Sequence, residues 1–169
     1  MDVLDALRCR RSIRRFIPKK VEEDKIQALL DAFFWAPSAG NLQARDVVVV
    51  QDGSLKQQLA EAAFGQGFIA ESPLVFVVCA NKKKITPYGE RGVSLYCLQD
   101  AAAGVENILL AAVSLGLGSC WVGAFDEAHV AKILGLPGHV RPVALIPVGY
   151  PAEQPSPPQR NSSVHRDGW

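Results

Sequence analysis

The segment Leu74-Val-Phe-Val-Val-Cys-Ala80 is a run of seven uncharged residues that includes three valines, and it follows Ser72-Pro73. Such a run, bounded by turn residues, predicts a buried strand. Two further segments have the same character, Val47–Val50, which Asp52-Gly53 closes, and Arg141–Val148. A shorter strand is predicted at Cys120–Val122. These four segments are the candidate core of a sheet.

Helices are predicted between the strands, because apolar residues recur there at helical spacing. The predicted ranges are Asp2–Arg10, Val21–Trp35, Leu55–Ala63, Ser94–Leu115 and Glu127–Leu134. Ser54 and Asp126 are the expected N-caps of two of these helices. Gly116 or Gly118 can supply the left-handed residue that ends the long one.

The length, composition and net charge restrict the class of protein. The chain has 169 residues, of which 49% are hydrophobic, and a formal net charge of +1. This length predicts a single globular domain over residues 1–169, and the composition argues against disordered, collagen-like and disulfide-stapled chains. Without a broad field of one sign, neither a nucleic acid nor an anionic membrane is an expected partner.

The cysteines and the N-terminal residues indicate the compartment, and one apolar stretch is long enough to be tested as a membrane span. Cys9, Cys79, Cys97 and Cys120 form no CxxC pair and no Cys/His cluster, so reduced thiols and no metal site are expected. The first residues contain acids and then arginines, which argues against a secretory signal and favours the cytoplasm. Ile108–Phe125 is long and uncharged, but its glycines and serines and the lack of basic flanks favour a buried helix followed by a strand.

The densest polar motif is Arg10-Arg-Ser-Ile-Arg-Arg-Phe16. Guanidinium forks and a hydroxyl concentrated in so few residues suit a phosphate group. Alternation along an extended segment would place Ser12 and Arg14 on one side and Ile13 in the core. The alternative is a solvated basic face that pairs with the acids at 22–24.

Two further motifs are ambiguous when taken alone. Ala36–Gln43 is a helix-to-strand turn with a hydroxyl and two amides, which either contact a ligand or satisfy the loop backbone. Gly116–Phe125 flanks a strand with small residues, which either admit a planar ligand or form a helix cap and a tightly packed strand.

Taken together and in this order, the motifs resemble the FMN-dependent nitroreductase family. The resemblance includes Arg10–Phe16, Ala36–Gln43, Gly118–Gly123 and a tail with Arg160 and Val164-His165, so it spans nearly the whole chain. It implies an α+β fold with a central, mostly antiparallel sheet flanked by helices. It also implies an interlocked homodimer with two FMN sites at the interface, in which the proline-rich tail, residues 150–169, packs on the partner subunit.

The resemblance implies roles for individual residues. Arg10, Ser12 and Arg160 would clamp the phosphate, Arg11 would be the neighbouring basic residue, and Arg14 would be the cation beside flavin N1 and O2. The remaining residues implied to bind the cofactor are Pro37, Ser38, Ala39, Asn41, Gln66, Trp121, Val122, Gly123 and Ala124.

Within this set, the loop at Pro37 would reach the flavin from the second subunit. Gln66 would lie near the pyrimidine edge, and Gly123 and Ala124 would offer backbone donors toward N5 and O4. The sequence departs from the family at two points. The family's frequent Gln-Pro-Trp is Gln43-Ala-Arg45 here and its Pro-Ser-Ser is Pro37-Ser-Ala39, and both changes are expected in the pocket wall.

The implied function is electron transfer from NAD(P)H through flavin N5 to a nitroaromatic, quinone or similar acceptor, in ping-pong order. No side-chain nucleophile is needed, because the cofactor carries the chemistry. Two alternatives stay open, a flavin-binding or sensing module without efficient turnover, and a dehalogenase, dehydrogenase or flavin-cleaving enzyme on the same fold. A third alternative makes Cys120 a nucleophile with His129 or His139 as base, although a thiol in an apolar strand is usually inert.

Overall fold

The computed structural model describes all residues, 1–169, and contains seven α-helices and four strands. The helices are α1 (Val3–Cys9), α2 (Glu23–Phe34), α3 (Gly53–Ala62), α4 (Phe68–Glu71), α5 (Gly89–Arg91), α6 (Cys97–Ser114) and α7 (Glu127–Leu134). The strands are β1 (Arg45–Val50), β2 (Leu74–Asn81), β3 (Gly118–Ser119) and β4 (Val140–Gly149). Short 3-10 turns lie at Ala39–Asn41 and Thr86–Tyr88, and a π-helical turn at Gly92–Tyr96 precedes α6.

The four strands form one sheet in the order β1-β2-β4-β3, and every neighbouring pair is antiparallel. All eight residues of β2 are buried. Its alternate side chains enter two different cores, since Phe76 packs with α2 and α6 whereas Val77 packs with α3, α4 and α7. Helices therefore cover the inner strands on both faces, which explains why β2 is an unbroken apolar run. The expected α+β architecture with an antiparallel sheet is confirmed.

The strand expected at Cys120–Val122 is placed differently in the structure. Regular pairing with β4 ends at Ser119, after which Cys120 N–H donates to Pro147 O and Val122 forms an isolated bridge to Leu145. The residue opposite Cys120 is Pro147, which has no N–H to return a hydrogen bond, so the ladder cannot continue regularly there.

The caps of the helices are partly as expected. Asp126 Oδ1 accepts from His129 N–H at 3.0 Å, and Gly116 adopts the left-handed conformation with φ +73° after α6. The expected cap at Ser54 is wrong, because α3 begins at Gly53, two residues before the predicted start, and Asp52 Oδ1 accepts from Leu55 N–H at 2.8 Å. Asp52 is thus the N-cap that satisfies a free donor of the first turn.

The long uncharged stretch is divided between two elements, since α6 ends at Ser114 and β3 begins at Gly118. None of the helices has both the length and the apolar character that crossing a bilayer requires.

The segment after α1 runs beside β3. Ile13 N–H donates to Ser119 O at 2.9 Å, and Ser12 pairs with Ser119 in a parallel bridge. Ile13 is buried, as the alternation along this segment predicts. A Cβ on Gly118 would lie 2.8 Å from Ile13 Cγ1, so the close approach of the two segments depends on that glycine.

The beginning of the tail is held against the same N-terminal segment. Ile17 N–H donates to Tyr150 O and Ala152 N–H donates to Arg15 O, each at 2.9 Å. The Tyr150 hydroxyl donates to the Glu22 carboxylate at the start of α2. Lys19 Nζ lies 4.0 Å from the centre of the Tyr150 ring. Both ends of the chain are thereby brought to one place.

The pKa of Glu22 is lowered to about 2, first by the hydrogen bond from Tyr150 and then, to a smaller extent, by a backbone hydrogen bond and by the Lys19 ammonium. We therefore expect Tyr150→Phe to raise the pKa of Glu22 toward its ordinary value of 4.5. Since the folded-state pKa is depressed, this contact contributes stability above pH 4.5 that is lost as the pH falls toward 2. A side-chain NMR titration would measure the change.

Glu127 is the control for that titration, because its pKa is lowered by Arg141 and not by Tyr150. Its pKa should be the same in both proteins. An unchanged Glu22 pKa in Tyr150→Phe would contradict the assigned cause.

Candidate functional site

A cleft of about 330 Å³ lies where the N-terminal segment meets the tail, and four arginines line it. Its lining residues are Arg10, Arg11, Ser12, Arg14, Pro155, Ser156, Pro158 and Arg160. The lining contains four arginines and no acidic side chain. A concentration of guanidinium groups without carboxylates favours a bound anion.

The four guanidinium groups differ in their protein contacts. Arg11 Nη1 donates to Arg8 O at 2.6 Å and to Arg10 O at 2.8 Å, so this side chain satisfies carbonyls at the C-terminal end of α1. Part of the hydrogen-bonding capacity of Arg11 is therefore used within the chain, while its positive charge remains at the cleft. The side chains of Arg10 and Arg160 have no hydrogen bond or ion pair within the chain and are free to bind an anion.

Arg14 lies at the border of the cleft, and its guanidinium carbon is 5.9 Å from the centre of the Phe68 ring. The Glu153 carboxylate accepts from Arg15 N–H at 3.1 Å and also from Arg14 N–H. Phe68 and Glu153 were not identified from the sequence. No local pattern marks them, because Glu153 lies more than a hundred residues from the backbone that it holds.

Gln66, two residues before Phe68, contacts the segment that follows β3. Gln66 Nε2 donates to Ala63 O at 2.9 Å and to Ala124 O at 3.1 Å, which leaves its Oε1 without a partner. Gly123 and Ala124 are exposed, and neither backbone N–H donates to another protein atom. A Cβ on Gly123 would contact nothing within 4 Å, so the space beside this backbone is open. Two donors and one acceptor are available here.

The two residues that precede Gly123 differ in their exposure. Val122 is buried and its backbone pairs with Leu145, so it contributes to the core. Trp121 is 41% exposed, which leaves part of a large aromatic side chain at the surface.

The loop between α2 and β1 lines a separate cleft of about 400 Å³ that shares no residue with the arginine-lined cleft. Its lining residues are Asp31, Phe34, Trp35, Ala36, Pro37, Asn41 and Gln43. Trp35 is 86% exposed beside this loop. Ser38 and Ala39 are half-buried within the loop, and Ser38 Oγ accepts from Gln43 N–H at 3.0 Å. Within one chain, the structure therefore does not bring Pro37, Ser38, Ala39 or Asn41 to the other candidate residues.

Ala44 and Arg45, which were expected in the pocket wall, line neither of the two clefts. Ala44 and Arg45 are both buried, with 0% and 1% of their surface exposed. Arg45 turns inward because the carbonyl groups at the end of α2 accept its hydrogen bonds. The expectation that these residues line the pocket is wrong. Arg45, which differs from the family's frequent residue at this position, supports the loop instead.

The thiols offer no nucleophile at this site. Burial raises the pKa of Cys120 and raises that of Cys79 to about 12, so both are protonated at neutral pH. Cys120 forms no hydrogen bond with His129 or His139. The Cys120 alternative therefore has no geometric support.

Comparisons with known proteins agree with this architecture. The family model described as the nitroreductase family matches residues 7–68 and 64–150. An NADH dehydrogenase of Thermus thermophilus is 37% identical to this chain, and the match covers 95% of this chain and 92% of that protein. An FMN reductase [NAD(P)H] of Bacillus subtilis is 28% identical over 90% of this chain and 67% of its own.

Among solved structures, the NADPH:FMN oxidoreductase of Vibrio harveyi in complex with NAD+ superimposes with a TM-score of 0.92. It is 25% identical, and the match covers 99% of this chain and 77% of that one. The sequence match over most of the chain and the shared fold lead to one conclusion: this chain belongs to the nitroreductase family.

Proposed function

We propose that the protein is an FMN-dependent oxidoreductase that transfers electrons from NAD(P)H to a nitroaromatic, quinone or similar small acceptor. The observation that carries the proposal is the arginine-lined cleft, which has no acid in its lining. Phe68 lies beside Arg14 at its border, and the backbone N–H groups of Gly123 and Ala124, next to Gln66, are free. The relatives named as an FMN reductase and an NADPH:FMN oxidoreductase support the same cofactor and the same reductant.

The residues of the cleft fit a phosphate monoester. Arg10 and Arg160 have free guanidinium groups, and Ser12 adds a hydroxyl to the same lining. Hydrogen bonds between charged partners are about twice as strong as neutral ones, so these groups would hold a dianion well. Arg11 would contribute through its charge, because its fork already bonds to backbone carbonyls.

The neighbouring groups fit the polar edge of a flavin ring. Gly123 and Ala124 would offer N–H donors toward N5 and O4, and Gln66 Oε1 would accept from an N–H of the pyrimidine edge. Arg14 would place a positive charge beside N1 and O2. When bound, FMN supplies the redox chemistry, taking a hydride from NAD(P)H and passing electrons to the acceptor in ping-pong order. The open space beside Gly123 would admit both substrates in turn.

The proposed assembly is a homodimer in which the Pro37 loop of each chain completes the other chain's flavin site. Three observations support it. The apolar side chains of Val3, Leu4 and Leu7 on α1 are 67%, 57% and 49% exposed. Trp35 is exposed beside the loop. Residues 154–169 of the tail are exposed and end in a fully exposed Trp169. Exposed apolar side chains such as those of α1, Trp35 and Trp169 are typical of a surface that a partner covers. We propose that residues 150–169 of the single domain, 1–169, pack on the second subunit.

The cytoplasm is the proposed location. All four cysteines are free thiols, as a reducing compartment would keep them, and NAD(P)H is the proposed reductant.

The visible absorption spectrum of the purified protein tests the proposal. We expect a flavin spectrum after purification or after addition of FMN, and bleaching when NADH or NADPH is added without oxygen. Addition of a quinone or nitroaromatic compound should restore the colour. A protein that stays colourless with FMN would refute the proposal, and a bound flavin that neither nicotinamide bleaches would favour a flavin-holding module instead.

A further inference from the structure

The loop between α2 and β1 has a backbone conformation that its own side chains stabilise only weakly. Gly40, Asn41 and Gln43 all have positive φ, at 54°, 56° and 50°. Glycine adopts such angles freely and asparagine does so at little cost, but they are unfavourable for Gln43 and persist there because surrounding structure enforces them. Inside the loop, the N–H groups of Asn41 and Leu42 donate to Ser38 O and Ala39 O, each at 3.0 Å, and Gln43 N–H donates to Ser38 Oγ at 3.0 Å. Two buried charged side chains from outside residues 36–44 add further support.

Arg45 supplies support on one side of the loop. Its side chain is 1% exposed, and its Nη2 donates to Phe34 O at 2.9 Å and to Ala36 O at 2.6 Å. Its Nη1 donates to Pro37 O at 3.3 Å. One of these carbonyls belongs to the last residue of α2, where the helix dipole is negative, and the other two belong to the first residues of the loop. A single planar fork thus fixes the direction in which the chain leaves the helix.

Asp100, in the first turn of α6, supplies support on the other side. Its carboxylate is 3% exposed, and the two oxygens accept from Ala39 N–H at 2.9 Å and from Ala44 N–H at 3.1 Å. The carboxylate therefore spans the loop from its entrance to its exit. Arg45 and Asp100 form no ion pair within 4.0 Å, but their opposite charges offset each other's burial.

The packing of α6 leaves room for this arrangement. A Cβ on Gly104 would lie 2.6 Å from the Phe33 ring and 3.3 Å from Arg45 Cδ. The Arg45 guanidinium carbon is 5.5 Å from the centre of the Phe33 ring. Gly104 lies one turn after Asp100, so one stretch of α6 both holds the loop and makes space for the arginine.

We propose that Arg45 and Asp100 are positioning residues that hold residues 36–44 in the conformation that contacts the flavin, so that the cofactor binds to a loop already in place. This inference rests on the proposed function, because the loop would act on the flavin of the second subunit. A preorganised loop avoids the entropic cost of becoming ordered on binding. Losing either residue should therefore weaken FMN binding although neither one lines the cleft.

The first measurement is amide hydrogen exchange of the full-length protein without FMN. In Asp100→Asn, the amide retains one acceptor oxygen instead of two, so the N–H of Ala39 or Ala44 should exchange at least about tenfold faster. The N–H of Val77 in β2 should keep its rate, which separates loosening of the loop from general unfolding. Unchanged exchange at both Ala39 and Ala44 would overturn the proposal.

The second measurement is the affinity for FMN, with Arg45→Met, Arg45→Lys and Asp100→Asn compared with the unaltered protein. We expect Kd to rise about tenfold in Arg45→Met and Asp100→Asn, and less in Arg45→Lys, which keeps the charge but loses the fork. Lys56→Met is the matched control, since Lys56 is another buried cation that donates to backbone carbonyls, away from the loop. It should change Kd by less than about twofold.

The outcomes separate this inference from the proposed function. An unaltered protein that binds no FMN would defeat the proposed function and the flavin-positioning role with it, while the exchange rates would still show whether Asp100 holds the loop. FMN binding that is normal in Arg45→Met and Asp100→Asn despite faster loop exchange would refute the positioning role alone. An equal loss of affinity in Lys56→Met would also refute it. Should Arg45→Met fail to fold, Arg45→Lys and Asp100→Asn retain both measurements.

Discussion

Arg10→Ala is expected to weaken FMN binding by roughly ten- to a hundredfold. A hydrogen bond between charged groups contributes about 1.5 to 3 kcal/mol, and each 1.4 kcal/mol corresponds to about a tenfold change in affinity. Arg10 lines the arginine-rich cleft, and its side chain makes no hydrogen bond or ion pair within the chain that its loss would disturb. Quenching of flavin fluorescence during titration of the apoprotein measures the affinity.

Two controls make this result specific. Riboflavin lacks the phosphate, so its affinity should be the same in Arg10→Ala and in the unaltered protein. Arg15→Ala removes the same charge from the same segment, but Arg15 does not line the cleft, so FMN affinity should change little. Equal losses for FMN and riboflavin would show that Arg10 acts elsewhere than at the phosphate.

Arg14→Ala is expected to slow the reduction of bound flavin by NAD(P)H about tenfold, which corresponds to about 1.4 kcal/mol in the barrier. A positive charge near N1 and O2 stabilises the negative charge that the ring gains on reduction. Because Arg14 is exposed, solvent screens this effect, and the two-electron potential should fall by only about 30 mV. Anaerobic stopped-flow absorbance measures the rate, and a redox titration measures the potential.

Arg14→Ala should mainly slow the reduction of bound flavin, whereas Arg10→Ala should mainly weaken FMN binding, because the two arginines lie at different parts of the cleft. Arg14 lies at Phe68, toward Gln66, whereas Arg10 lies among the tail residues. Reduction in Arg15→Ala should proceed at the normal rate. Equal FMN affinity and equal reduction rates in Arg10→Ala and Arg14→Ala would reject both assignments.

The arrangement also explains why the two ends of the chain are needed at one site. The Arg14 backbone is held by Glu153, and Tyr150 and Ala152 bond to the same N-terminal segment. These contacts place the tail, with Arg160, opposite Arg10. Removal of the tail would therefore take away Arg160, one of the four arginines of the cleft, and loosen the segment that presents the others.

The sequence by itself determined the features that depend on neighbouring residues. The unbroken apolar run of β2 indicated a strand covered on both faces, and helical spacing located the long helices to within a few residues. Alternation correctly assigned Ile13 to the core, whereas the anion site that the arginine motif predicts stays a prediction. Periodicity and residue type suffice for these features because they act along the chain.

Only the tertiary structure decided which distant groups meet. Pro147 ends the regular pairing of β3 because it lies opposite Cys120, and Glu153 reaches backbone donors near the other end of the chain. Arg45 was expected in a pocket wall and is buried instead, because the carbonyls that end α2 lie within reach of its fork. Such contacts depend on how elements pack, and packing joins residues whose separation along the chain leaves no local signature.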